Sequence, residues 1–185
     1  GDERLSAIDR YGADVAIEDL IAEEDVVVTI SHAGYIKRQP TSVYQSQRRG
    51  GKGKTGTTTR DEDFVEHIFV SSSHAFLLFF TTLGRVHWVK VYEIPEGGRV
   101  SRGKAIVNLI SLQKGEKVSA VLPVREFQEG NHAVFATRRG QIKKTNLMSY
   151  AKPRQGGVIA INLAPGDEVI GVGMTDGNRD ILLST

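Results

Sequence analysis

The sequence predicts an all-β chain arranged as a propeller-like array, and three observations carry that prediction. After residue 24, β-branched and aromatic runs dominate, and each is soon followed by a glycine. Two separate motifs recur on one spacing of roughly 50 residues. Each repeat holds about four short strands, too few to bury an apolar face alone, so neighbouring units must stack. The ordinary alternative is a β-sandwich with coincidental similarity, and two motifs sharing one period argue against it.

The first 23 residues form an acidic lead-in. Residues 1–25 hold Asp2, Glu3, Asp9, Asp14, Glu18, Asp19, Glu23, Glu24 and Asp25 against Arg4 and Arg10, a net charge of about −7. Residues 18–24 (EDLIAEE) suit a short helix or an extended entry, and the rest is too polar to pack. The polar, acidic start is not a signal peptide. No apolar run approaches the ~18 residues of a membrane helix. Cysteine is absent, which excludes disulfides and thiolate metal sites and fits a cytoplasmic setting.

The domain proper is expected over residues 24–185, with units beginning near 24, 74, 131 and 180. The opening strands are residues 25–30 (DVVVTI), 75–82 (AFLLFFTT) and 132–137 (HAVFAT). Each leads through a glycine into a short basic strand: 34–38 (GYIKR), 84–90 (GRVHWVK) and 140–144 (GQIKK). A further strand is predicted at 103–109 (GKAIVNL) and again, one period on, at 157–163 (GVIAINL). Last come 115–121 (GEKVSAV) and 166–172 (GDEVIGV). Residues 180–185 (DILLST) read as the first strand of a fourth unit. The chain therefore reads as a fragment with exposed sheet edges.

Charge is distributed as unevenly as structure. From Val26 to Arg60 there is no acid, but there are seven bases: Lys37, Arg38, Arg48, Arg49, Lys52, Lys54 and Arg60. Such a block suits a polyanion partner, though charge alone fits a solvated basic face equally well. Its centre is QRRGGKG, comprising Gln47, Arg48, Arg49, Gly50, Gly51, Lys52 and Gly53. A nucleotide-binding P-loop would need glycine at 48, where arginine stands, and a helix after Thr55, where GTTTR follows. Arginine forks and a lysine point charge match phosphate oxygens, and side-chain-free glycines let backbone amides come close. The loop thus suits a sugar-phosphate backbone and has little means of reading base edges. The repeat adds weaker candidates along the same rim: Lys37, Arg38, Lys54, Arg85, Lys90, Arg102, Lys104, Arg138, Arg139, Lys143, Lys144, Lys152 and Arg154.

Residues 19–38 (DLIAEEDVVVTISHAGYIKR) followed by 47–53 (QRRGGKG) resemble the start of the C-terminal domain of the bacterial DNA gyrase A protein, and the resemblance continues through RGKAIVN (102–108) and GDEV (166–169). The seven-residue stretch is similar to the family's signature box, which is degenerate or missing in topoisomerase IV. The resemblance implies a β-pinwheel, usually of six blades with strands exchanged between neighbours, here represented by about three blades and one strand. It implies sequence-independent binding and wrapping of double-stranded DNA, which directs ATP-dependent negative supercoiling by the whole enzyme. It also implies assembly with the gyrase B protein and the rest of the gyrase A protein as an A2B2 heterotetramer, in the bacterial cytoplasm at the nucleoid. Catalytic residues, ATP and Mg2+ belong to other parts of that enzyme, so no catalytic residue, metal site or cofactor is expected here.

Two other classes compete. A protein-interaction propeller would account for the repeat but not for the acid-free stretch. An enzyme would need clustered His and carboxylates, whereas His32, His67, His74, His87 and His132 are scattered singly.

Overall fold

The structure is a computed structural model describing residues 17–42 and 63–178. Eleven strands run through them. The first unit supplies β1 (Asp25–Ser31), β2 (Tyr35–Pro40) and β3 (Val65–Ser72). The second supplies β4 (Phe76–Thr81), β5 (Arg85–Lys90), β6 (Lys104–Ala105) and β7 (Val118–Val124). The third supplies β8 (His132–Thr137), β9 (Ile142–Asn146), β10 (Val158–Ile159) and β11 (Val169–Thr175).

Sheets and units do not coincide. The sheet orders are β3-β1-β2-β6, β10-β5-β4-β7 and β11-β8-β9, so β6 of the second unit closes the first sheet and β10 of the third closes the second. All these strand pairs are antiparallel. The exchange corrects one expectation. Residues 103–109 and 157–163 do not form strands along their whole length; each pairs over only two residues, Lys104–Ala105 with β2 and Val158–Ile159 with β5. The chain then turns inward. Ile106 begins a 3-10 turn and, like Ile161, is almost fully buried. What reads as a strand in sequence is a brief edge contact followed by an apolar plug.

The alternation of β4 shows why the units stack. Leu77 and Phe79 join one core with Val26, Val28 and Ile36 of the first sheet. Leu78 and Phe80 join another with Phe135, Ala133 and Leu147 of the third unit. The middle sheet is covered on both faces, so FLLFFT is apolar at successive positions instead of alternating. All four side chains are at most 1% exposed, each worth about 1.5–3 kcal/mol on burial. Phe80 meets Phe135 edge-on with ring centroids 5.3 Å apart, a favoured aromatic geometry.

Each hairpin turn repeats one device. Gly34, Gly84 and Gly140 take φ of 83°, 76° and 83°, the left-handed conformation a tight hairpin needs. Three positions before each glycine stands Ser31, Thr81 or Thr137, whose hydroxyl accepts the amide of Tyr35, Arg85 or Gln141 at 3.0–3.2 Å.

A carboxylate from later in the unit fastens each turn. Asp63 accepts the Ala33 amide at 2.8 Å, Glu116 accepts the Thr81 hydroxyl at 2.5 Å, and Asp167 accepts the Arg139 amide at 3.0 Å. The Ala33 amide, aided by the Ser31 hydroxyl, holds Asp63 below the ordinary 3.8. Burial alone would raise Asp167, but Thr137 and the amides of Arg139 and Glu168 outweigh it and hold the group below that value. Glu116 and Asp167 are buried, and burial is tolerated there because hydrogen bonds replace their water.

Candidate nucleic-acid interface

The basic loops owe their position to the strand exchange. Each loop ends in the edge strand of the preceding sheet: residues 95–103 lead into β6, and residues 151–157 lead into β10. Gly103 and Gly157 lie where each loop enters its strand, with φ of 86° and 75°. A Cβ on Gly103 would lie 2.3 Å from Ile36 O, and one on Gly157 would lie 2.6 Å from the His87 ring and 2.8 Å from Val86 O. Glycine is required there by contact as well as conformation. Successive loops therefore follow one edge of successive sheets.

Gln47, Arg48, Arg49, Gly50, Gly51, Lys52 and Gly53, together with Lys54, lie outside the described residues. Their register in the sequence is nevertheless informative. Arg48-Arg49-Gly50-Gly51 stands as far beyond Gly34 as Arg154-Gln155-Gly156-Gly157 stands beyond Gly140. The repeated basic pairs include Lys152 and Arg154, but pairing alone does not expose this common offset.

The predicted rim cations divide into two groups. Lys37, Arg38, Arg85, Lys90 and Lys143 are held by intramolecular partners. Lys37 Nζ donates to Gly98 O, Arg99 O and Ser101 O at 2.9–3.4 Å. Arg38 Nε donates to Ile94 O at 2.7 Å, with Nη1 3.7 Å from Glu96. Arg85 pairs with the buried Glu116 at 3.4 Å and donates to Gly156 O. Lys143 Nζ donates to Ala160 O at 3.2 Å. Lys90 lies over the Phe76 ring and pairs with Glu18 at 3.1 Å.

The second group faces solvent. Lys104, Arg138, Arg139, Lys144, Lys152 and Arg154 are at least partly exposed, although Arg138 also pairs with Glu168 at 2.8 Å. Arg102 is exposed too, with its guanidinium stacked 4.1 Å above the Tyr35 ring and 3.7 Å from Asp63. Stacking restricts the side chain without neutralising its charge. Arg99, exposed on the same loop, escapes a reading of the sequence by repeated pairs because it falls outside the paired positions.

The end of the acidic lead-in is fastened beside the second sheet. Glu23 receives Arg125 Nε at 2.5 Å and the Ser72 hydroxyl at 2.8 Å. Arg125 first, then Ser72, lowers its carboxyl to about 2. His74 Nε2 lies 2.7 Å from Ile21 O, and the Ser73 amide donates to Glu24 O at 2.8 Å. One helical turn over residues 17–19 is thus followed, through a turn at 20–21, by a hydrogen-bonded entry to β1. No helix among the described residues is long and apolar enough to cross a membrane.

Known proteins share this architecture. The family model described as the DNA gyrase C-terminal domain, β-propeller, matches residues 25–72, 75–125 and 131–176, one match per unit. The DNA gyrase A protein of Neisseria gonorrhoeae is 52% identical over 183 residues, covering 99% of this chain and 20% of that protein. The A protein of Clostridium acetobutylicum is 49% identical over 185 residues, covering all of this chain and 22% of that one. The chain thus spans about a fifth of the relatives it matches. A crystal structure of the C-terminal domain of DNA topoisomerase IV superposes with a TM-score of 0.71 at 30% identity, over 85% of this chain and 47% of that one. A gyrase A C-terminal domain gives 0.59 at 22% identity, over 82% and 48%, a likeness of fold.

Proposed function

The chain belongs to the family of DNA gyrase C-terminal β-propeller domains, and from that premise we propose that it binds the backbone of duplex DNA along the sheet edge that carries the basic loops. The supporting observation is the strand exchange. It sets the loops before β6 and β10 on one edge of successive sheets, where Arg99, Arg102, Lys104, Lys152 and Arg154 meet solvent. Residues 47–53 belong to the same series by their offset from Gly34. Cations on flexible stems and glycine-rich backbone read phosphate spacing, and nothing in the set is suited to read base edges.

Within a whole gyrase, the same contacts serve to wrap DNA. A duplex following successive loops must bend, and bending 20–30 base pairs smoothly costs on the order of 1–6 kcal/mol. Counterion release from the contacted phosphates offsets that cost at low salt. Wrapping with one handedness presents a second DNA segment to the cleavage gate, which directs ATP-dependent supercoiling towards the negative. In this reading the chain itself is non-catalytic, uses no cofactor of its own, and works with the gyrase B protein and the remainder of the gyrase A protein in the bacterial cytoplasm.

The test is the salt dependence of binding to a labelled duplex, followed by fluorescence anisotropy. Six phosphate contacts give a slope of about −0.9 × 6 in log K against log salt, so affinity falls about 10³-fold between about 50 and 200 mM salt. Duplexes of unrelated sequence bind alike. A salt-independent affinity would rule out backbone binding.

A further inference from the structure

We infer that Lys37 is a positioning residue that holds the 97–103 loop in place, and that it acts on DNA only through the arginines which that loop presents. The inference rests on the DNA-binding reading above. Sequence alone sets Lys37 beside Arg38 as one more rim cation. The structure gives its ammonium a different occupation.

All three of its N–H donors have acceptors on one loop. Gly98 O lies at 3.0 Å, Ser101 O at 2.9 Å and Arg99 O at 3.4 Å. An ammonium carries three donors, so the charge faces the loop backbone and leaves no donor for a phosphate. Partial burial pushes its pKa below the ordinary 10.5, as expected for a charge partly removed from water.

The loop is shaped to receive the side chain. A Cβ on Gly97 would lie 3.1–3.2 Å from the Lys37 stem, and one on Gly103 would lie 3.0 Å from Lys37 Cβ. The Gly97 amide donates to Arg38 O at 3.1 Å, which fixes the start of the loop on β2. Between these glycine contacts the chain bows outward and exposes Arg99, Val100 and Arg102.

The second unit repeats the arrangement with different chemistry. Lys37 and His87 each stand three positions after their hairpin glycine, Gly34 or Gly84. His87 is 3% exposed and lies beneath Gly157, just as Lys37 lies beneath Gly103. The position is therefore an inter-unit support. In the first unit the support is cationic and reaches further along the loop.

A double-mutant cycle on duplex binding tests the inference. Lys37→Met is expected to weaken binding about tenfold, the weight of a charge-assisted contact. In an Arg99→Ala/Arg102→Ala background the same change is expected to have no further effect, because the groups it positions are gone. Lys37→Arg is expected to behave like Lys37→Met, since a planar guanidinium does not reproduce three-carbonyl coordination. An equal loss in both backgrounds, no loss at all, or full affinity in Lys37→Arg would each overturn the inference.

Trypsin provides a second measurement, made without DNA. Cleavage after Arg99 or Arg102 is expected to be faster in Lys37→Met and Lys37→Arg than in the unsubstituted chain. Unchanged cleavage would overturn the loop support itself. If the unsubstituted chain bound no DNA, the functional reading would fall, while the proteolysis would still decide whether Lys37 holds the loop.

Discussion

Replacing Arg48, Arg49 and Lys52 together with alanine, in a complete gyrase A protein that carries this segment, is expected to abolish negative supercoiling while relaxation survives. The substitution removes three of the seven cations in the acid-free stretch between Val26 and Arg60. Each phosphate contact removed reduces the salt slope by about 0.9, so removing three flattens it by about 2.7. On the proposed function, DNA that no longer follows the sheet edge is expected to be cleaved and passed elsewhere in that enzyme without a preferred hand. The readout is a plasmid topoisomer gel with and without ATP. Supercoiling at the normal rate in the triple variant would refute the role assigned to residues 47–53.

Gly103→Ala and Gly157→Ala form the second large effect, on stability. Both residues have positive φ, and a Cβ at either would collide with the sheet it joins. The left-handed conformation alone costs an L-residue about 1–2 kcal/mol. Displacing β6 or β10 also forfeits the hydrogen bonds that join one unit to the sheet of its neighbour, at about 1 kcal/mol each. A total of about 3 kcal/mol lowers Tm by roughly 6–12 °C in a chain of this size. Gly140→Ala is the control. Its φ is 83°, but an added Cβ meets nothing within 4 Å. Only the conformational cost of about 1–2 kcal/mol applies there, and Tm falls by roughly 2–8 °C. Equal melting shifts in all three variants would show that the exchange joints are not close-packed. Calorimetry on the purified chain decides it.

The architecture was largely legible in the sequence because it rests on period and pattern. The opening strands predicted at 25–30, 75–82 and 132–137 correspond to β1, β4 and β8. The expectation for 103–109 and 157–163 overshot, because a run such as KAIVNL has the same composition whether it pairs along a sheet or pairs briefly and then plugs a core. Only the position of its partner strand separates the two, and that partner belongs to another unit.

The turn carboxylates were legible but unread. Asp63, Glu116 and Asp167 recur at close to the spacing of the glycine motifs. Acids near a sheet end look like solvated surface until their amide and hydroxyl partners are seen. The cations show the converse. Lys37 and Lys144 look alike in sequence, yet one is spent on three carbonyls while the other meets solvent. Which lysine meets solvent depends on a loop far along the chain, and no local pattern encodes it.

The central claim is that this chain binds duplex DNA by leading its backbone along a curved series of basic loops. Religation of nicked plasmid in the presence of the chain tests that most directly. After the protein is removed, the linking number is read against plasmid religated alone. The account predicts a shift that grows with protein concentration, keeps one sign, and disappears as salt is raised. Binding at low salt with no change in linking number at any concentration would contradict it.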